Sequence, residues 1–143
     1  MTMTPQQIAD KSAEAMFAGD SASKWMGMTL ESISPGHATM SMTVEVHHTN
    51  GHKICHGGFI FTLSDSAFAF ACNTYNKVTV AQHCTINFIA PGKLGDRLTA
   101  NAREISLTGR SGIYDITVTN QDNEKIAEFR GMSRTIKGVL FEE

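Results

Sequence analysis

The sequence predicts an α+β fold in which one antiparallel β-sheet wraps around a long, buried central α-helix. Three observations support this prediction. Residues 58–73 are apolar on nearly every side, a pattern typical of a helix surrounded by protein. Residues 37–46 alternate between apolar and polar side chains, which is the period of a half-buried strand. Four further strand-like segments follow the helix. Together with the earlier strands they can form one sheet, and the helix can cover one face of that sheet.

A separate helix precedes the sheet. Thr4 can cap a helix over residues 5–18, Pro5 fits its first position and Gly19 can end it. The apolar stripe of this helix is narrow, which predicts that it packs on the outside of the domain. We assign residues 1–24 to this N-terminal helical extension.

The predicted strands are separated by turns that contain glycine, proline or asparagine. Because the connections among the last four strands are short and polar, we expect these strands to form an antiparallel meander. The six predicted strands span residues 28–33, 37–46, 78–89, 97–107, 113–119 and 125–136.

Length and composition indicate one ordinary domain, residues 1–143, with enough chain for a hydrophobic core. The net charge of -2 gives no broad electrostatic reason to bind nucleic acid or an anionic membrane. No stretch approaches the ~20 apolar residues that span a bilayer, and the N-terminus does not resemble a secretory signal. The three cysteines form no CxxC pair, which favours reduced thiols in a cytoplasmic protein.

A cluster of histidines raises the question of a metal site. His52 and His56 are four residues apart, but they lie in a predicted loop and no second tight group of ligands follows. We therefore expect no metal. The sequence also has no GxSxG, P-loop or GxGxxG motif, so it does not support a serine-hydrolase triad or a nucleotide cofactor.

The most informative segment joins the alternating strand to the apolar helix and reads NGHKICHGG from Asn50 to Gly58. No Ser, Thr or Asp immediately precedes the helix, so its first N–H groups are expected to be free. Such groups can polarise a carbonyl oxygen, and glycine lets a ligand approach the backbone closely. The alternative is a tight turn without a catalytic role.

Asp65 lies eight positions after Gly57, inside the apolar helix. It can be a structural residue bonded to nearby polar groups, or a general base or nucleophile in a partly apolar cleft. Eight residues of helix rise about 12 Å, so a carbonyl held at Gly57 is out of reach of Asp65 in the same chain. If both serve one reaction, they come from two chains of an isologous dimer with antiparallel helices and two identical sites.

The stretch NGHKICHGGFIFTLSDSA, from Asn50 to Ala67, resembles the signature of the hotdog-fold acyl-CoA thioesterases. It is most similar to the phenylacetic-acid-degradation, PaaI-like group and also resembles the human thioesterase superfamily member 2 group. The similarity extends over about residues 25–136 and includes the turn that begins at Ala90-Pro91-Gly92. It implies a hotdog fold, hydrolysis of acyl-CoA thioesters, and homodimers that pair into homotetramers.

The resemblance also implies roles for individual residues. The N–H at the position of Gly57 polarises the thioester carbonyl, and the carboxylate at the position of Asp65, from the partner chain, attacks it or activates water. Asn50 matches the residue that helps to hold the thioester or the water, and His56 matches the histidine before the glycine pair. We predict these four residues to be catalytic.

Further positions are predicted to bind the substrate. Lys93 and Arg110 match loops on the nucleotide side of CoA, although each can equally be a solvated surface charge. Gly58 and Ser66 lie beside the predicted site. His83 stands where relatives often have Ser or Thr, which leaves its role open. CoA belongs to the substrate, so no separate cofactor is expected.

The predicted substrate is a CoA thioester of an aryl-acetyl or medium-chain acid, and the resemblance favours phenylacetyl-like groups and phenylacetate degradation. Two alternatives stay open. One is a hotdog enoyl-CoA hydratase or dehydratase in which His83 pairs with Asp65. The other is a non-catalytic acyl-CoA-binding module.

Overall fold

The computed structural model describes residues 2–143, which form three α-helices, one 3-10 turn and six β-strands. In chain order these are α1 (Pro5–Ala18), α2 (Ser21–Trp25), β1 (Thr29–Ser34), β2 (His37–Thr43), the 3-10 turn (Val46–His48), α3 (Gly57–Cys72), β3 (Thr79–Phe88), β4 (Arg97–Thr108), β5 (Ser111–Thr119) and β6 (Lys125–Thr135).

The six strands form one antiparallel sheet in the order β1-β2-β4-β5-β6-β3, and α3 packs against its inner face. This arrangement confirms the predicted α+β architecture. Leu63 and Phe68 of α3 are at most 1% exposed and share the core with Met40, Ile116 and Phe129 of the sheet. Because the sheet is open, β1 and β3 are its edge strands.

The expected meander of the last four strands is wrong in one step. β4, β5 and β6 follow one another, but β3 pairs with β6 and not with β4. Residues 89–96 therefore form a crossover and not a hairpin. This crossover is fixed to the segment that precedes α3, because Cys55 N–H donates to Gly92 O at 2.7 Å and Ile54 forms an isolated bridge with Lys93.

Two short elements were not expected from the sequence. Asp20 Oδ1 accepts the N–H of Ser23 at 3.0 Å and caps α2, which is too short to show a helical period. Strand β2 ends earlier than predicted, and Val46 lies in the 3-10 turn with 73% of its surface exposed. The N–H of His48 donates to Glu45 O at 3.0 Å and closes this turn. The strand prediction was too long because the apolar alternation of the sequence continues to Val46, past the end of β2.

The helices otherwise follow the sequence pattern. Thr4 Oγ1 accepts the N–H of Gln7 at 3.1 Å and caps α1, which lies outside the sheet against β1. α3 is apolar but has only 16 residues. Within residues 2–143, no helix combines the length and the apolar character that crossing a membrane requires. Cys55, Cys72 and Cys84 are free thiols.

Gly131 of β6 determines how closely α3 approaches the sheet. A Cβ atom at this position would lie 2.6 Å from the nearest ring carbon of Phe68. The missing side chain therefore lets the Phe68 ring rest on the strand, and this contact fixes α3 across the middle of the sheet.

Candidate active site

Residues 48–56 form a short hairpin that leads into α3, and we call it the Asn50 hairpin. His48 O accepts the N–H of His56 at 2.8 Å, and Asn50 N–H donates to Ile54 O at 2.9 Å. The crossover described above holds the other side of this hairpin through Gly92. Hydrogen bonds within the hairpin and to the crossover therefore fix its conformation before the helix begins.

The N-terminus of α3 has one capped amide and one free amide. His56 Nδ1 accepts the N–H of Gly58 at 2.9 Å, so the expectation that no side chain caps this helix is wrong. The N–H of Gly57 has no acceptor within residues 2–143. Histidine is not a usual capping residue, which is why the sequence did not reveal this cap. The result is a single N–H at the helix end that is available to a ligand.

Asn50 presents a second free donor beside the first. Its Oδ1 atom accepts the backbone N–H groups of His52 at 2.9 Å and Ile54 at 3.4 Å. These two bonds identify which side-chain atom is the oxygen, and they direct it into the hairpin. The Nδ2 group makes no hydrogen bond within the part of the chain that the structure describes.

Asn50 and Gly57 line one cavity of about 460 Å³. Its other walls are largely apolar and come from the hairpin, α3 and the start of the crossover, including Ile54, Ile60, Phe88 and Pro91. Two N–H donors in apolar surroundings can together stabilise the oxygen of a polarised carbonyl.

Phe88 is a site residue that the sequence analysis missed. A Cβ atom on Gly57 would lie 3.1 Å from the tip of the Phe88 ring, so this ring covers the helix end at van der Waals distance. A signal for it exists in the sequence, because Phe88 continues the alternation of Cys84 and Ile86, which both pack on the core. The glycine at 57 is therefore required for space as well as for access to its amide.

The carboxylate of Asp65 is half-buried and has no hydrogen-bond or salt-bridge partner within residues 2–143. Burial raises the pKa of Asp65 above its ordinary value. Burial also raises the pKa of the Cys84 thiol, and the negative charge of Asp65 raises it further. Asp65 is therefore near β3, the edge strand that carries Cys84, and no cation among residues 2–143 pairs with its carboxylate.

Asp65 does not contribute to the cavity that Asn50 and Gly57 line. Both residues belong to α3, and the eight residues from Gly57 to Asp65 correspond to about 12 Å along the helix axis. One chain therefore holds the donors and the carboxylate in two separate places.

Two of the predicted substrate-binding residues have other surroundings. The Oγ atom of Ser66 lies 3.1 Å from that of Ser23, which is buried, so this pair ties α3 to α2. His83 is exposed and alternates with Cys84 and Ile86, whose side chains pack on the core. His83 consequently faces away from α3, and the structure does not bring it to Asp65.

Lys93 and Arg110 lie at opposite ends of α3 in one chain. Lys93 is bridged to Ile54 at the N-terminal end of the helix. Arg110 lines a larger cavity, of about 640 Å³, together with Cys72 at the C-terminal end. Within a single chain, the two cations therefore cannot bind the same group of one ligand.

The larger cavity also has a polar wall. The hydroxyl groups of Tyr75 and Tyr114 both donate to Oε1 of Glu104, at 2.8 and 2.9 Å. Burial, followed by its own hydrogen bond to Glu104 and the negative charge of that residue, raises the pKa of Tyr75 to about 12. Lys77 lines the cavity as well, so it has two cations, Lys77 and Arg110, beside a mostly apolar interior.

Comparison with known proteins identifies the family. The family model described as the thioesterase superfamily matches residues 52–127. The chain is 42% identical to the acyl-coenzyme A thioesterase PaaI of Escherichia coli (strain K12) over 91% of this chain and 93% of that protein. It is 30% identical to the human acyl-coenzyme A thioesterase 13 over 69% of this chain and 72% of that protein.

Solved structures agree with these matches. The E. coli PaaI protein from the phenylacetic acid degradation operon superposes with a TM-score of 0.93 and 41% identity, covering 95% of this chain and 99% of that one. A Streptococcus mutans protein bound to acetyl-CoA superposes with a TM-score of 0.75 and 27% identity, covering 78% of this chain and 90% of that one.

Proposed function

The chain belongs to the thioesterase superfamily and is an acyl-CoA thioesterase, and from this premise we propose how its residues carry out the reaction. The observation that carries the proposal is the pair of free donors, Gly57 N–H and the Asn50 side-chain amide, on one apolar cavity at the end of α3. The thioester carbonyl oxygen accepts from both donors. As negative charge develops on this oxygen, the donors and the positive end of the helix dipole stabilise it.

Asp65 of the partner subunit delivers the attack on the polarised carbon. It either removes a proton from water, which adds to the carbonyl carbon, or attacks directly to give an anhydride that water then hydrolyses. In both routes the C–S bond breaks, the electron pair leaves with the CoA thiolate, and the products are a free acid and CoA. The unpaired, half-buried carboxylate of Asp65 supports this role.

A dimer with antiparallel α3 helices brings the two halves of the site together. The edge position of β3 supports this arrangement, because an exposed edge can pair with the same strand of a second copy. The nearness of Asp65 to β3 supports it as well. In such a dimer Gly57 of one chain lies beside Asp65 of the partner subunit, and the assembly has two identical sites. Further pairing of dimers gives the homotetramer expected from the family.

The same arrangement accounts for the two predicted CoA-binding cations. Lys93 lies at the N-terminal end of α3 and Arg110 at its C-terminal end, so antiparallel helices bring Lys93 close to Arg110 of the partner subunit. We propose that these two cations hold the phosphates of CoA. The apolar cavity beside Gly57 suits an aryl-acetyl or medium-chain acyl group, of which phenylacetyl is the first to test. The relation to the PaaI protein supports this choice.

The hydratase alternative requires His83 beside a carboxylate. His83 faces the side of the sheet opposite to α3, so nothing within residues 2–143 favours this reading. Hydrolysis therefore accounts best for the geometry.

The test is thiol release from a panel of CoA thioesters: phenylacetyl, hydroxyphenylacetyl, benzoyl and medium-chain acyl groups. We expect the wild-type protein to release thiol from at least one of them and Asp65→Asn to lose this activity by about 10²–10⁴-fold. Asp10→Asn, an exposed change on α1, serves as the matched control. No release from any member of the panel, or undiminished release by Asp65→Asn, would contradict the proposal.

A further inference from the structure

Among residues 2–143, His48 is the only histidine that is fully buried, at 0% exposure. It occupies the base of the Asn50 hairpin. Its ring packs against the rings of His47, with centroids 4.0 Å apart, and Phe59 of α3, at 5.4 Å. No part of the reaction described above uses this side chain.

The hydrogen bonds of the ring define its protonation state. The Nδ1 atom accepts the backbone N–H of Glu45 at 2.9 Å, so Nδ1 carries no proton and the neutral ring carries its proton on Nε2. The Nε2 atom is buried and makes no hydrogen bond of normal geometry within the described residues, although the backbones of Met26 and Thr43 favour a proton on the ring. An apolar side chain would not leave a polar atom unpaired here, so the fold retains a histidine at some cost in stability.

Hydrogen bonds connect the backbone of His48 to the residues that precede the free donor. The His48 carbonyl accepts the N–H of His56, and the His56 ring caps Gly58 and leaves the N–H of Gly57 free. Asn50 lies two residues after His48 on the same strand of the hairpin, whereas His56 lies on the opposite strand. His48 thus supports both sides of the segment that carries the two donors.

We propose that neutral His48 is a positioning residue for the hydrolysis. Its Nδ1 atom fixes the turn at Glu45 from which the Asn50 hairpin starts, so that the Asn50 and Gly57 amides face one cavity. The proposal rests on the proposed function, because it assigns the two amides to the carbonyl oxygen of the thioester. A proton on Nδ1 would turn the acceptor into a donor that faces the N–H of Glu45 and would release this support.

The surroundings of the ring make that proton unfavourable. Burial lowers the pKa of His48 below its ordinary 6.5, and the neighbouring His47 lowers it further. The backbone of Met26, directly after α2, opposes this shift, followed by the charge of Glu45 and the backbone of Thr43 at the end of β2. His56, whose backbone N–H donates to the His48 carbonyl, is a further ionisable residue on the hairpin and caps α3. The neutral ring is therefore maintained down to a pH below 6.5 and is lost on further acidification.

Two substitutions separate the hydrogen bond from the titration. In His48→Asn, the Oδ1 atom can replace Nδ1 as acceptor but cannot take up a proton at these pH values. We expect this variant to retain kcat within about 3-fold at neutral pH and to lose the part of the acid limb that belongs to His48. His48→Leu keeps a buried side chain of similar size but removes the acceptor. We expect kcat to fall by about 10-fold or more with little change in KM, because the Asn50 and Gly57 donors act on the transition state.

His52→Asn, an exposed change at the tip of the same hairpin, is the matched control and leaves the profile unchanged. An acid limb that is identical in His48→Asn and wild type would overturn the proposal, and so would a wild-type kcat in His48→Leu.

A second measurement needs no substrate and no substituted protein. In the wild-type protein, NMR titration should show the Gly57 and Gly58 amide signals shifting with the same midpoint as the His48 ring. Amide signals that do not follow His48 overturn the inference. If the amides follow the ring while no CoA thioester is hydrolysed, the proposed function fails and the positioning role of His48 in this segment stands.

Discussion

Unused hydrogen-bond donors are the residue-scale feature on which this site depends. At the start of α3, Gly58 is capped by its neighbour His56 while the amide of Gly57 stays free. At Asn50 the side-chain oxygen is used internally and the nitrogen is not. Local hydrogen bonds thus use the Gly58 amide and the Asn50 side-chain oxygen. Within the described residues, the Gly57 amide and the Asn50 side-chain nitrogen stay free, and both residues line one cavity. Such fixed donors stabilise developing charge without reorganisation during the reaction.

Asn50 can be tested by separating its two functions. Asn50→Asp keeps an oxygen that accepts from His52 and Ile54 but removes the Nδ2 donor, so we expect an intact fold and a kcat lowered by about 10²–10³-fold. Asn50→Ala removes the acceptor as well, and we expect it to lower the melting temperature in addition. Thiol-release kinetics together with thermal unfolding measure both effects. Equal activity of Asn50→Asp and wild type would show that the side-chain amide does not contact the carbonyl.

Gly57→Ala tests the space at the helix end. The new methyl group meets the Phe88 ring at 3.1 Å, so either the ring or the amide has to move by a few tenths of an ångström. We expect kcat to fall by about 10-fold or more, since small displacements of a catalytic group are costly. Gly51→Ala is the control, because a Cβ atom at Gly51 has nothing within 4 Å. Phe88→Leu in the same chain should restore part of the lost activity, and a failure to do so would argue against this contact.

Asp65 should impair stability while it supports activity. Its pKa is raised by burial, so the folded protein binds more protons than the unfolded chain between the ordinary value of 3.8 and the raised value. Stability therefore falls as pH rises through this interval, and it stays reduced above it, while turnover needs the ionised form and is lost as pH falls through the raised pKa. We expect Asp65→Asn to melt at a higher temperature than wild type at neutral pH although it is inactive. A lower melting temperature would contradict this reading of the carboxylate.

At the scale of elements, one glycine sets the distance between α3 and the sheet. In Gly131→Ala the added Cβ atom would lie 2.6 Å from the Phe68 ring, so the helix or the strand must shift. We expect a destabilisation of about 1–3 kcal/mol, the usual effect of overpacking a core. Denaturant unfolding measures it, with Gly19→Ala as a control because Gly19 has free space around it. An unchanged free energy of unfolding would mean that Phe68 adjusts freely.

The elements with a clear period were predictable from the sequence. The apolar circumference of α3 and the alternation along Ala38–Val44 gave the fold class, because both are local patterns. The pairing of β3 with β6 was not predictable, since it depends on a crossover that the Asn50 hairpin holds in place. Local sequence carries no direct record of such a long-range contact.

The candidate site was predictable to a similar extent. The free glycine amide and the carboxylate at Asp65 follow from residue type, spacing and the family resemblance. Two features of the site were not predictable from the sequence. His56 caps α3 although histidine is an unusual capping residue, and the Phe88 ring that lies over Gly57 comes from a distant strand. The outward direction of His83 required the strand register, which a bulge between Ala81 and His83 alters.

At the scale of the whole molecule, the proposed mechanism assigns each chain two separate halves of a site. The donors lie at the N-terminus of α3, while Asp65 lies about two helical turns further on, near the edge strand β3. The proposed antiparallel dimer would complete both halves at once, and it would also bring Lys93 to the Arg110 end of the second chain. The sharing of sites between chains is the central claim, because the proposed mechanism fails without it.

Subunit complementation tests this claim most directly. Asn50→Asp and Asp65→Asn are each expected to lose at least about 99% of the activity, but a mixed dimer, alone or as a unit of the tetramer, contains one site with an intact Asn50, Gly57 and Asp65. Mixed dimers isolated with two different affinity tags should recover about half of the wild-type turnover, because one of their two identical sites is complete. If donors and carboxylate act within one chain, every site in the mixed dimer carries a defect, and its turnover would stay at the level of the two parent variants.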